Sequence, residues 1–449
     1  MNSSNAESAA RFEARVRARC ESLLGTCSHL VLAYSGGRDS TVLLQVLAKF
    51  HAQWGVTLTA CHVDHALHPA SSRWAEHCAA ECAALGIPLV CERIRTPPPV
   101  GASIEAWARE VRYGALMRHC TAEVLLLTAH HADDQAETFF LNALRGSGPA
   151  GLQGIAPRRA LGAGWLGRPL LEVSSAEIEA YALTRGVRWC EDPSNQALRF
   201  RRNYLRHQVL PALRERWPQL TTTLGRTVSL QRDLDTALNH AADQLLQHQG
   251  VAMRERIACR FLLDQPLSLR AVLVRRWLSS NGCQPPAARQ LEQVMRCVLH
   301  AGADRNPQVT WNGHTLRRYR AELYLCRSEA PLPGRFETHW QMAAPLILPW
   351  GRLTATVSAG PGLRVSAVGE GGIQIRLRQG GERCRLIGRA HHARVKHLLQ
   401  EAGIPPWQRT GLPLLYIDER LAAIPNIGVC DEFAAASSEL GVIFEWRPS

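Results

Sequence analysis

The stretch HLVLAYSGGRDSTVLLQVLAKF, residues 29–50, decides how the chain is read. His29 to Tyr34 is an apolar run of strand length, which Gly36 and Gly37 interrupt. From Thr41 the period changes: Leu43, Val46, Leu47 and Phe50 recur at i, i+3, i+4 and i+7, one face of a helix. The stretch is therefore strand, glycine turn, helix. Such a turn leaves backbone N–H groups free at a helix N-terminus, where the dipole adds partial positive charge, so it can hold a phosphate. The glycines permit close approach and positive φ. Ser35, Ser40 and Thr41 supply hydroxyls, and Asp39 is an oxygen ligand suited to a Mg²⁺ that bridges phosphate oxygens. An ordinary βα turn uses the same residue types, and spacing alone leaves both readings open. GxxxxGK[ST] is absent and no Lys follows the glycines, which argues against a Walker-type NTPase.

Outward from this stretch, strand and helix patterns alternate as far as residue 145. Thr57–His65, Ile87–Ile94 and Glu123–His130 are strand candidates, and 71–85, 103–119 and 133–144 are helix candidates. EVLLLTAH is apolar almost throughout, as a buried parallel strand is. The alternation implies an α/β domain with a parallel sheet, helices on both faces and ligands beyond the carboxyl ends of the strands. Polar residues gather there: SGGRDS after the first strand, HVDH (62–65) closing the second, HHADD (130–134) after the fourth. GSGPAG (146–151) and GAGWLG (162–167) match GxGxxG, but neither follows a convincing strand, so both read as loop glycines rather than a dinucleotide site. Ser174 and Glu177 form a capping box for a helix that Gly186 ends.

The first domain is expected over residues 1–218. A mainly helical domain follows over 219–330, with helices at 223–247 and 285–299 and a hairpin at 308–319 turning on Asn312-Gly313. Four prolines make 331–350 read as a linker, and 351–449 reads as a small basic α/β domain around one helix at 391–404.

Lys plus Arg number 52 against 39 Asp plus Glu, a net charge of +13, and the excess is mostly Arg. That favours a polyanionic partner, nucleic acid first, over a merely soluble basic protein. The 14 cysteines include no CxxC pair, so neither a zinc site nor a disulfide framework is indicated. Reduced core cysteines of a cytoplasmic protein are expected. No apolar run reaches the roughly 18 residues of a membrane helix. Arg11, Arg15, Arg17 and Arg19, interspersed with Glu, read as a basic opening helix rather than a transit peptide.

In HHADDQAET (130–138), Asp134 and Glu137 are three apart and share a helix face. Paired carboxylates on a site rim clamp a cation or act as a base, although acidic groups in a first helical turn also simply favour the dipole. His130, His131, Asp133 and Asp134, with His62, Asp64, His65 and His68, are metal-ligand types at a spacing that specifies no metal. EAWAREVRY (105–113) puts Arg109 and Arg112 on a helix, where an Arg can stabilise charge developing on an α-phosphate. Arg201, Arg202 and Arg206 in RRNYLRHQVLP, and Arg389, Arg394 and Lys396 further on, suit phosphate contacts and equally suit solvated faces.

SGGRDS resembles the SGGxDS signature of the PP-loop ATP pyrophosphatases, which cut ATP between its α- and β-phosphates and adenylate a carbonyl oxygen. Followed in order by HVDHAL, EAWAREVRY, TAHHADDQAET, LRGSGPAGLQGI and RRNYLRHQVLP, and by GERCRLIGRAHHARVKHLLQEAGIPPWQRTGLPLLYIDERLAAI (381–424), it resembles the long bacterial form of the tRNA(Ile)-lysidine synthetase family. The likeness covers the first domain and the tail well and the middle loosely. It implies a ligase for tRNA modification in the cytoplasm. ATP adenylates O2 of the wobble cytidine, position 34, of tRNA(Ile) with a CAU anticodon. The ε-amine of free L-lysine then attacks C2, giving lysidine, AMP and pyrophosphate. By the same resemblance, Ser35, Gly36, Gly37, Arg38, Asp39 and Ser40 hold ATP, with Asp39 on Mg²⁺. Asp134 and Glu137 hold the lysine ammonium and assist its deprotonation, and Arg109 or Arg112 contacts the activated intermediate. Arg201, Arg202, Arg206, Arg389, Arg394 and Lys396 meet the tRNA. One departure is Ala66, where the family usually has Gly; a positive φ there would strain an alanine. The competing readings are a thiolating PP-loop enzyme, which would use the CxxC pairs this chain lacks, and a tRNA-binding protein with an inactive ATP fold.

Overall fold

A computed structural model of the chain describes residues 3–66, 68–99, 101, 104–251, 254–302, 306–327, 332–369 and 371–448. The chain forms two compact units, 1–238 and 239–449.

In the first unit α1 (Ser3–Leu24) is followed by strict alternation: β1 (His29–Ala33), α2 (Arg38–Phe50), β2 (Thr57–Asp64), α3 (Ser71–Ala84), β3 (Leu89–Arg93), α4 (Ile104–Met117), β4 (Val124–Leu127) and α5 (Ala132–Ala143). Then come α6 (Pro149–Leu152), β5 (Arg158–Leu161), β6 (Gly164–Gly167) and α7 (Ser175–Arg185). The six strands lie in the order β3-β2-β1-β4-β6-β5, all parallel except the edge strand β5. Side chains on a strand alternate between faces, and the core divides accordingly. Leu30, Leu32, Leu125 and Leu127 face Phe12 and Val16 of α1, Leu43 and Leu47 of α2, and Ile178 and Tyr181 of α7. Val31, Leu126 and Leu166 face Leu116 of α4. The order reverses at β1, which sends the chain to β2 on one side and borders β4 on the other. That reversal opens a crevice at the carboxyl end of β1, where the glycine turn lies.

Strand β6 corrects the expectation that Gly164 and Gly167 are loop glycines. A Cβ on Gly164 would collide with the carbonyl oxygens of Thr121 and Val124, and one on Gly167 would lie 2.9 Å from Leu127 Cδ2. These glycines let a four-residue strand press against β4. Gly-Trp-Leu-Gly shows no alternation, so its periodicity carried no strand signal. The capping box at Ser174 and Glu177 and the left-handed stop at Gly186, φ +61°, form as the residues require.

The unit continues with α8 (Arg201–Tyr204), a π-helical turn at Leu205–Val209 and α9 (Leu210–Arg216). The start of α10 (Leu220–His248) packs through Leu224 with Leu210 against Ala136 of α5.

In the second unit α11 (Cys259–Leu263), α12 (Leu267–Ser280) and α13 (Ala288–Gln293) pack on a four-stranded antiparallel sheet of β7 (Arg256–Ala258), β8 (Gln308–Trp311), β9 (His314–Tyr319) and β10 (Glu322–Arg327). Asn312 and Gly313, both at positive φ, make the β8–β9 turn. The 331–350 stretch is not free chain where it is described. It contributes β11 (Glu337–Trp340) and β12 (Leu346–Leu348) to the two larger antiparallel sheets of the tail. Trp340 and Leu348 enter the tail's core beside Leu398 and Leu399 of a helix at Val395–Glu401. Cys384 and Cys430, 46 residues apart, form a disulfide. Uniformly reduced cysteines were the expectation; this pair is set by the tertiary bridge between Leu386 and Cys430, which no local spacing reveals. Among the described residues no helix is long and apolar enough to cross a membrane.

Candidate active site

The glycine turn is built as its residues demand. Gly36 has φ +77°, and a Cβ there would lie 2.8 Å from the buried Cys78 Sγ, so both backbone and space require glycine. Gly37 precedes α2 as its N-cap, and no side chain caps the helix. Ser40 Oγ and Thr41 Oγ1 each donate to the Gly37 carbonyl at 2.9 Å, and Ser35 Oγ lies 3.0 Å from Ser40 Oγ. The hydroxyls brace the loop from behind, and the first N–H groups of α2 stay available to an anion. Arg38 turns sideways: Nε bonds Asp39 Oδ1 at 2.9 Å, and the other nitrogens reach Ser175 Oγ and Glu179 of α7.

Asp39 connects this turn to the next strand end. His131, the N-cap of α5, places Nε2 3.5 Å from Asp39 Oδ2 and 3.6 Å from Asp134 Oδ2. Burial pulls the His131 imidazole down, but the carboxylates of Asp134, Asp39 and Asp133 overcome it and hold its pKa above the ordinary value. Asp39 is pushed up by its burial and pulled down further by His131 and Arg38, so it remains a carboxylate. Asp134 is likewise desolvated, yet His131, Arg202 and His130 bring its pKa to about 2. His130, buried beside Arg168, Arg202 and Arg112, falls to about 3 and stays neutral. The two adjacent histidines are thus shifted in opposite directions: Asp39, Asp133 and Asp134 raise His131, whereas burial and three arginines outweigh Asp134 at His130.

Asp134 and Glu137 meet on one face of α5, as their spacing requires. Glu137 is fully buried. It accepts from Arg202 Nε at 2.5 Å and from Arg206 Nε at 2.6 Å, while each arginine donates an Nη2 to Asp134 Oδ1 at 3.1 Å. Arg202 and Arg206 are four apart, so both guanidinium groups project from one side of the rod; the π-helical turn begins between them. The sequence signal for this was present in that i, i+4 spacing, but its partner could not be read from it. Arg201, by contrast, is exposed. Asp133 is bound by Arg214, by Thr221 Oγ1 and by the Ser175 N–H at 2.7 Å.

Arg109 and Arg112 are exposed on α4. Arg112 lies close enough to His130, and to His65 at the end of β2, to lower both after burial has done so. Arg109 stands over the Tyr113 ring, 5.1 Å from its centroid. Among the described residues no three His, Cys, Asp or Glu side chains gather as metal ligands, so HVDH and HHADD do not merge into a metal centre. In the second unit Arg389 pairs with Glu401 at 2.5 Å, and Arg394 and Lys396 are exposed. Ala66 does adopt φ +52°, with its N–H on Asp64 Oδ1 at 2.8 Å.

Residues 9–213 match the PP-loop domain family, 258–324 the TilS substrate binding domain, and 373–446 the TilS substrate C-terminal domain. The tRNA(Ile)-lysidine synthase of Alkalilimnicola ehrlichii is 39% identical over 421 residues, 93% of this chain and 94% of that one. This chain belongs to the tRNA(Ile)-lysidine synthase family. The synthases of Xanthomonas campestris pv. campestris, 40% identical over 88% of this chain and 89% of that one, and of Coxiella burnetii, 36% over 94% of each, are similar along nearly their whole length. The family's three matched regions run through both compact units, so the likeness extends well beyond the glycine turn.

Proposed function

We propose that the chain ligates free L-lysine to C2 of cytidine 34 in tRNA(Ile) with a CAU anticodon, at the expense of ATP cleaved to AMP and pyrophosphate. In this reading the cytosine O2 attacks the α-phosphorus and pyrophosphate leaves. The lysine ε-amine then attacks C2, the C2–O bond breaks, and AMP departs with the electron pair. Only the neutral amine is a nucleophile, so the ammonium must first lose a proton.

The observation that carries the reading is the Asp134/Glu137 pair. It is a buried dicarboxylate that already binds two cationic side chains, one ion-pair step through His131 from the carboxylate beside the glycine turn. An incoming ammonium would take over part of what Arg202 and Arg206 now satisfy, and a carboxylate there accepts its proton. The donor set beside the turn suits Mg²⁺: Asp39 is ionised, partly exposed and an oxygen ligand, and phosphate oxygens and water complete the kind of shell Mg²⁺ takes. A Mg²⁺ bound there supplies neutralisation of phosphate charge. Ser35, Gly36, Gly37 and Ser40 cradle the nucleotide, and Arg112 faces the charge that develops beside His130.

The test is mass spectrometry of the anticodon nucleotide after incubation with ATP, Mg²⁺, tRNA and isotope-labelled lysine. The expected result is one labelled lysine on cytidine 34 with matching AMP release. Asp39→Ala should abolish this turnover and leave tRNA binding largely intact. Modification of the tRNA without lysine would overturn the reading.

A further inference from the structure

Most arginines of the first unit near the rim have a carboxylate: Arg38, Arg93, Arg118, Arg202, Arg206 and Arg214 all do. One group does not. Among the described residues, Arg109, Arg112, Arg159 and Arg168 have no Asp or Glu oxygen within 4.0 Å. They converge on Tyr113. Arg109 lies 5.1 Å and Arg159 5.6 Å from the ring centroid, and Arg168 sits beside the phenol.

Arg168 is the unusual member. It follows β6 directly and is 5% exposed. Its Nη1 donates to the Ala156 carbonyl at 2.5 Å, and its buried Nε has no hydrogen-bond partner. A buried guanidinium without a counter-charge is costly, and three more unpaired cations around the same ring add mutual repulsion. The same cations act on Tyr113: burial raises the phenol's pKa, but Arg109, Arg168, which also hydrogen-bonds the phenol, and Arg112 bring it below the ordinary value. An anion from outside would supply the missing counter-charge. Guanidinium forks match phosphate oxygens.

The position favours one source of phosphate. β6 lies two strands from β1, roughly 10 Å across the sheet at ordinary strand spacing, so the cluster stands beside the glycine turn rather than over it. Because β5 is antiparallel, Arg159 is brought back to the rim, paired opposite Leu166 of β6. Through His130 the cluster adjoins the Asp134 end of the site.

Resting on the proposed function above, we propose that Arg168, Arg159 and Arg109, arranged around Tyr113, receive a backbone phosphodiester of the anticodon loop and so position the target base at the end of β4. The shared chemistry is a phosphate oxyanion; the alternative source is the phosphate chain of the nucleotide.

The test uses the full-length protein with Arg159→Ala, Arg168→Met and Arg168→Lys. Three quantities are read: affinity for an anticodon stem–loop RNA across a salt series, affinity for ATP without RNA, and lysidine formation. Arg168→Met should weaken RNA binding by about tenfold, the value of one charge-assisted hydrogen bond. Arg159→Ala, a surface change that spares folding, should lower the slope of log affinity against log salt by roughly 0.7–0.9 for each phosphate it no longer neutralises. Arg168→Lys should recover part of the affinity, and ATP binding should not move in any of them. Reduced ATP affinity with unchanged RNA affinity would assign the cluster to the nucleotide and overturn the proposal. Unchanged salt slope in Arg159→Ala together with unchanged RNA affinity in both Arg168 variants would reduce it to a structural cluster. If wild-type protein forms no lysidine yet RNA binding depends on these arginines as stated, the phosphate site stands and the proposed function falls.

Discussion

Glu137→Gln removes one charge from the centre of the site and almost no volume. In the native protein two carboxylates, Asp134 and Glu137, face two guanidinium groups, Arg202 and Arg206, and Glu137 has no solvent exposure at all. The variant leaves two cations on one carboxylate. Breaking a buried pair costs about 3–5 kcal/mol. The arginine side chains are 26% and 36% exposed, so water takes up part of the charge and the cost falls to about 2–3 kcal/mol. For a unit of this size that lowers Tm by roughly 4–12 °C. The functional effect is separate. If the pair holds the lysine ammonium, losing one charge-assisted hydrogen bond of about 1.5–3 kcal/mol raises the KM for lysine about 10- to 150-fold. The assay is incorporation of labelled lysine into tRNA at saturating ATP, beside thermal unfolding. Arg206→Met is the control: it disturbs the same cluster and its stability but leaves both carboxylates, so the lysine KM should not rise. An unchanged lysine KM in Glu137→Gln, or a KM for ATP that climbs equally, refutes the assignment.

Ala66→Gly should stabilise the protein by about 0.5–1 kcal/mol, because relief of a left-handed alanine, about 1–2 kcal/mol, exceeds the added entropy of the unfolded glycine; a neutral or negative result in urea unfolding would mean the loop already accommodates the Cβ. His131 has a folded pKa above its ordinary 6.5, so its charge stabilises fully below that value and the stabilisation is lost as pH rises through the folded pKa. His131→Gln should therefore flatten the decline in stability above pH 6.5, read by thermal melts, and an unaltered profile would remove the imidazolium from the balance. Charge reversal at Arg394 and Lys396, both exposed, should weaken tRNA binding and lessen its salt dependence, and unchanged affinity would take the tail off the recognition surface.

Much of the catalytic unit was legible in residue order. The change of period at Thr41, the apolar run from Val124 to Leu127 and the Ser174/Glu177 box are local signals, and local signals survive because strand and helix periods are properties of neighbouring residues. Ala66 was identifiable as a strained position only through the resemblance, because the family usually has Gly there and the structure gives it φ +52°. The strand at Gly164–Gly167 was not, since its glycines are explained by the carbonyls of Thr121 and Val124 that they must approach.

What the sequence alone determined is the glycine turn between β1 and α2, the helix face shared by Asp134 and Glu137, and the chain's strong cationic excess. Only the tertiary structure decided which cations are spent internally. Arg202 and Arg206 lie 65 or more residues beyond their carboxylates, while Arg168 is buried beside Tyr113 with no carboxylate partner among the described residues. Charge pairing is an interaction through space with steep dependence on distance and burial, and neither is encoded in the spacing of residues along the chain.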